Sequence, residues 1–139
     1  MTDSIFSKII RGEVPAQRVF EDDHTIAIMD INPVSEGHVL VIPKEPAETM
    51  ADLSDEFAAE LGRVLPRITR AVKKATGAAS VNLLQNNGSE AGQVVMHVHV
   101  HVIPCFPDRD ARGLRVDWRA TDGDGEALAD LGRHIARLL

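Results

Sequence analysis

Two hydrophobic periods run along the chain. Residues 4–11 place Ile5, Phe6 and Ile9 near one face, which predicts a short helix closed by Gly12 and Pro15. Residues 18–21 and 25–30 are short apolar-rich runs joined by Asp22-Asp23, which predicts two strands and a turn. Asn32-Pro33 breaks the chain, and the β-branched run 38–42, stopped by Pro43, predicts a third strand. From Ser54 to Thr76 the spacing of Phe57, Leu61, Leu65, Ile68 and Val72 makes one apolar stripe. Ser54 is its N-cap, Gly77 its stop, and Pro66 should kink or split it. Residues 80–85 and 93–104 predict two more strands, and Leu128, Leu131, Ile135 and Leu138 a last helix. The links between strands are too short for repeated parallel crossovers. The pattern therefore predicts one antiparallel α+β domain over residues 1–139.

Composition narrows this picture. The chain has 139 residues, 44% hydrophobic and 26% charged, which suits a single folded domain. Fifteen basic against 21 acidic residues give a net charge of −6, a poor basis for sequence-independent binding to nucleic acid. The first fifteen residues carry charges where a signal peptide would be apolar, and no apolar run is long enough for a membrane span. A single cysteine, Cys105, excludes a disulfide within the chain and fits a reducing, cytoplasmic setting.

The candidate chemistry lies in Met96-His97-Val98-His99-Val100-His101-Val102-Ile103. On a strand, side chains alternate between faces. Met96, Val98, Val100 and Val102 then face a core, and His97, His99 and His101 line the other side. Clustered imidazoles disfavour one another's protonation, so a neutral ring with a bare nitrogen is available as a nucleophile. Two histidines at this spacing also suit a transition metal, and the motif alone leaves catalysis and metal binding level. The preceding loop, Asn86-Asn87-Gly88-Ser89-Glu90-Ala91-Gly92-Gln93, can expose backbone N–H groups and side-chain amides to an anion.

These residues resemble the histidine-triad (HIT) family of nucleotide hydrolases and transferases. The row from His97 to Ile103, the loop 86–93, and the segments Ser4–Ile10, Asp30–Pro33 and Gly37–Lys44 match its motifs in order. The Hint-like branch and its bacterial relatives are the most similar. The resemblance implies a five-stranded antiparallel sheet with a long helix and terminal helices, paired as a homodimer. It implies that His99 attacks the α-phosphate of a purine nucleotide conjugate, such as an adenosine phosphoramidate, giving a nucleotidyl-histidine that water then cleaves. His97 would orient His99, His101 would bond the phosphate or bridging atom, and His38 would support the cluster. Asn86, Gly92 and Gln93 would bind the phosphate side, Asp30 the ribose hydroxyls, and Ile31 the base. No tightly bound cofactor is implied, though Mg²⁺ would suit a polyphosphate substrate, and neither membrane nor nucleic acid is a partner.

The chain departs from that pattern in two places. Ser4 and Ser7 stand where many bacterial relatives have zinc-binding cysteines, so no structural zinc is expected. Val94 replaces a serine near the leaving group, which leaves diadenosine polyphosphate hydrolysis open as an alternative to phosphoramidate cleavage. A non-catalytic nucleotide-binding adaptor is the reading from another class. Residues 105–139 match no family motif, and Arg109, Arg112, Arg115 and Trp118 there suit a charged, solvated segment.

Overall fold

The computed structural model describes every residue except 1, 2, 109–112 and 115. Helix α1 (Ile5–Ile10) precedes strands β1 (Arg18–Glu21), β2 (Thr25–Met29) and β3 (Val39–Pro43). Helix α2 (Asp55–Thr76), β4 (Ser80–Leu84), β5 (Val100–Cys105) and helix α3 (Gly125–Leu138) follow, with short 3-10 turns at Met50–Asp52 and Ser89–Ala91. The strands form one antiparallel sheet in the order β1-β2-β3-β5-β4. This is the predicted five-stranded α+β architecture.

The sheet carries two unlike faces. Ala27, Val39, Val41, Val98, Val100 and Val102 pack against Leu61, Val64, Ile68 and Val72 of α2. On the opposite face Ile26, Ile28, Leu40 and Ile42 pack against Phe6 and Ile9 of α1. Strand β3 is covered on both sides, so all five of its residues are buried. That explains its unbroken apolar run, where a half-buried strand would alternate.

Local signals set most boundaries. The Ser54 hydroxyl accepts the Phe57 N–H, and Gly77 ends α2 at φ +75°. Pro66 neither splits α2 nor ends it. Its ring removes one intrahelical N–H donor, but Val64 and Ile68 are anchored in the core on either side. The Asp22-Asp23 turn is closed by the Asp22 carboxylate, which accepts N–H groups from His24 and Thr25.

The fifth strand is shorter than its sequence pattern suggests. Pairing with β3 begins at Val100, opposite Val41, and stops at Val102. Residues 97–99 therefore have no ladder partner on that side. The Val98 N–H instead bonds the Ala47 carbonyl at 2.9 Å. The alternation survives, because Val98, Val100 and Val102 are buried on the α2 face, whereas Met96 is only half-buried.

Gly37, at φ +92°, brings the chain into β3 beside the end of α2. A Cβ there would collide with the Thr76 methyl and lie 3.4 Å from Pro104. Gly37→Ala is expected to destabilise the fold by about 2 kcal/mol, checked by urea unfolding. A midpoint equal to that of the parent would contradict this account.

Candidate active site

The α1 face of the sheet leaves a hollow of about 590 Å³. Ile5, Phe6 and Ile9 of α1, Ile28 and Leu40 of the sheet, and Val14–Ala16 form its apolar walls. Asp30, Ile31, Asn32, Asn86, Gly92, Val94, His99 and His101 complete it. A smaller hollow of about 370 Å³ lies between α2 and strands β1–β3, but no histidine or carboxylate lines it. A third, of about 390 Å³, is lined by Glu45, Glu48 and Asp52 but by no histidine, so the histidines gather at the first alone.

The protons of the histidines follow from their partners. His99 Nδ1 lies 2.7 Å from the His97 carbonyl, which can only accept. Nδ1 of His99 therefore carries the hydrogen, and a neutral ring has its lone pair at Nε2. His38 Nδ1 accepts the Val34 N–H at 3.1 Å, so its hydrogen sits on Nε2. That Nε2–H donates to His101 Nδ1 at 2.9 Å and lies 3.4 Å from an Asp30 carboxylate oxygen. His101 must then carry its own hydrogen on Nε2. A bare nitrogen on His99 and an N–H on His101 stand side by side, with ring centroids 5.0 Å apart.

Burial keeps the cluster neutral. Desolvation is the largest influence lowering the pKa of His38, His97, His99 and His101 from the usual 6.5. For His101 the neighbouring His99 and His38 add to it, giving a value of about 4. The Asp30 carboxylate opposes these shifts at His38, His99 and His101 without reversing them.

The same proton arrangement bears on metal binding. Ligand atoms of Asp30, His38 and His101 lie within 4.8 Å of one another. A metal on His38 Nε2 would need both ring nitrogens bare, because Nδ1 already accepts the Val34 N–H. That is an imidazolate, so the group fits a hydrogen-bond chain better than a metal centre.

The predicted residues take unequal places. His99, His101, Asp30, Ile31, Asn86 and Gly92 reach the hollow, as does Val94, which is 87% exposed. Asp30 closes a turn by accepting the Asn32 N–H at 2.8 Å. Gly92, at φ +95°, faces the Asn86 amide. His38 stands behind His101, almost fully buried. Like His38, two further residues do not line the hollow. Gln93 is buried, its Nε2 donating to the Glu48 and Val95 carbonyls and its Oε1 accepting the Gly88 N–H. Its side chain is spent on shaping the loop. His97 has no exposed surface, and its Nε2 donates to the Pro43 carbonyl at 2.8 Å. The expected row of three histidines facing one site is thus two histidines and a buried third. Phe6 was not singled out by sequence as a site residue, yet its ring meets His99 edge-on at 5.0 Å. Arg109, Arg112 and Arg115 lie outside the described residues, and Trp118 is exposed.

Comparisons with known proteins point in one direction. The HIT domain family matches residues 11–108. An adenosine 5'-monophosphoramidase of Schizosaccharomyces pombe is 42% identical over 132 residues, covering 95% of each chain. An adenylylsulfatase of Arabidopsis thaliana is 47% identical over 102 residues, 73% of this chain and 52% of the plant protein. A crystal structure of a HIT family protein from Bacillus subtilis superposes with a TM-score of 0.89 at 38% identity, over 99% of this chain and 98% of that one.

The lowered histidine pKa values have a thermodynamic consequence. A base whose folded pKa lies below its unfolded value binds fewer protons when folded, so stability rises with pH through the interval. The stability held by these histidines is complete above 6.5 and is lost as pH falls toward about 4. Urea unfolding is expected to show a loss of about 2 kcal/mol between pH 7 and about 5, above the ordinary carboxylate range. Constant stability across that interval would mean the cluster is not held neutral.

Proposed function

This chain belongs to the HIT family, and from that premise we propose that it cleaves purine nucleotide conjugates at the α-phosphate through His99. The observation that carries the reading is the 2.7 Å bond from His99 Nδ1 to the His97 carbonyl, which leaves Nε2 bare at the hollow. The activities named for the yeast and plant relatives, a monophosphoramidase and an adenylylsulfatase, agree with a nucleotide hydrolase.

The nucleoside lies on the Asp30 and Ile31 side, its ribose hydroxyls donating to the Asp30 carboxylate and its base against the apolar wall. The phosphate then meets His99 and His101. The Nε2 lone pair of His99 forms a bond to phosphorus as the bond to the bridging atom breaks. The leaving group departs with that electron pair and takes up a proton. His101 Nε2–H and the Asn86 amide are the donors for charge on the phosphoryl oxygens. Water then attacks phosphorus, the phosphorus–nitrogen bond breaks, a proton is released, and the nucleoside monophosphate leaves. Adenosine phosphoramidates are the substrates we favour, with diadenosine polyphosphates as the alternative because Val94 offers the leaving group no hydroxyl. We assign no resident metal, though a polyphosphate would bring Mg²⁺ with it.

We also propose a cytoplasmic homodimer. Among the described residues no helix is long and apolar enough to cross a membrane. Helix α3 buries none of its residues, and Leu128, Leu131, Ile135 and Leu138 stand more than half exposed along one stripe. Strand β4 is an edge strand with Leu83 half-exposed. A second copy would cover these surfaces. Sedimentation should give a dimer mass that falls to a monomer in Leu131→Asp/Ile135→Asp. A monomeric parent protein would end the dimer proposal.

Release of AMP from adenosine 5'-phosphoramidate tests the reaction. His99→Ala is expected to lose at least ~10³-fold in turnover while keeping its fold, since the cost is that of removing the nucleophile. Undiminished turnover in that variant would refute the assignment. AMP binding by a parent protein that releases none from any nucleotide conjugate would favour a binding adaptor.

A further inference from the structure

His97 cannot touch a substrate, because none of its surface is exposed. Its backbone carbonyl nevertheless aims His99. What holds His97 therefore matters, and the ring has two fixed ends. At one end the Pro43 carbonyl accepts from Nε2 at 2.8 Å, which places the ring's hydrogen there. At the other end Nδ1 is a bare acceptor in a dry interior and needs a donor.

Helix α1 supplies it. Ser4 Oγ lies 3.0 Å from His97 Nδ1, and Ser7 Oγ lies 3.4 Å from it. Ser4 is also the N-cap of α1, and its oxygen accepts the Ser7 N–H at 3.0 Å. One lone pair of the hydroxyl is thus used by the helix, and its single hydrogen faces the imidazole at 3.0 Å and the Ser7 hydroxyl at 3.3 Å, the imidazole being the nearer and stronger acceptor. One side chain ties a helix end to a ring 93 residues away. Ser4 and Ser7, which in sequence stand only as replacements for zinc-binding cysteines, thus have a task of their own.

We infer that Ser4, with Ser7 beside it, is a positioning residue that fixes the tautomer of His97 and through it the carbonyl that orients His99. The inference rests on His99 being the nucleophile. Without the hydroxyls, Nδ1 is left without a partner. The ring then relieves itself by turning over, and the attached peptide moves. The 2.7 Å bond to His99 loosens, and Nε2 of His99 loses its single orientation.

The test compares the parent with Ser4→Ala, Ser7→Ala, the double variant and Ser4→Thr. Each is assayed for kcat and KM on adenosine 5'-phosphoramidate and for AMP affinity. Each also has its imidazole nitrogens observed by long-range ¹H–¹⁵N NMR. The double variant is expected to lose about tenfold in kcat, with KM and AMP affinity within twofold of the parent. Its His97 and His99 spectra should leave the single-tautomer pattern. Ser4→Thr keeps the hydroxyl and the cap, and should retain parental kcat and spectra. If kcat falls while both tautomers stay as in the parent, the serines serve only the fold and the inference is overturned. Parental kcat and spectra in the double variant overturn it as well. If the parent itself shows no turnover, the functional reading fails, and the two imidazole spectra still decide whether the hydroxyls set the tautomers.

Discussion

The candidate site is organised around one hydrogen bond, from His99 Nδ1 to the carbonyl two residues earlier. A free imidazole exchanges its hydrogen between two nitrogens, and a nucleophile needs it on one. A backbone carbonyl is a good anchor because it cannot donate, so the choice is absolute. Behind that carbonyl the buried ring of His97 is held between the Pro43 carbonyl and the first turn of α1, groups that on the proposed mechanism would steady a reaction none of them touches. The Pro43 carbonyl, at the end of β3, is given to the imidazole.

The two sheet faces divide the labour. The α2 face is a dry core of branched side chains, and it holds Val98 and Val100 on either side of His99. The α1 face is incomplete by design of its packing: a six-residue helix covers part of it, and the rest stays hollow. Strand order then puts Asp30 after β2 on one side of the histidines and the 86–93 loop after β4 on the other. A ligand lying across β5 meets a carboxylate, then imidazoles, then amides.

Much of this was legible beforehand, and the failures have a common cause. Periodicity identified each helix and strand, because a stripe or an alternation is a local property. It read the face of each histidine correctly but overextended β5, since whether a neighbouring strand reaches far enough is not local. Ser54 and Gly77 marked the ends of α2 for the same local reason. The amide of Gln93 and the ring of His97 were expected at the site's wall, and both are occupied by distant backbone. Asp30 offered no local sign that its carboxylate would stand 3.4 Å from His38 Nε2. A bond spanning 54 or 93 residues leaves no periodic trace in the chain.

That same span has a kinetic meaning. Helix α1 has six residues, too few to persist on its own in water. Its cap finds its distant partner only once residue 97 has packed, so α1 is secured by a contact spanning 93 residues. The β3–β5 pairing likewise waits for the intervening helix and β4. The His97 ring is held by residues 4, 7 and 43, so its geometry is complete only when those segments have packed together. On the proposed mechanism, activity returns during refolding only once α1 has docked against His97.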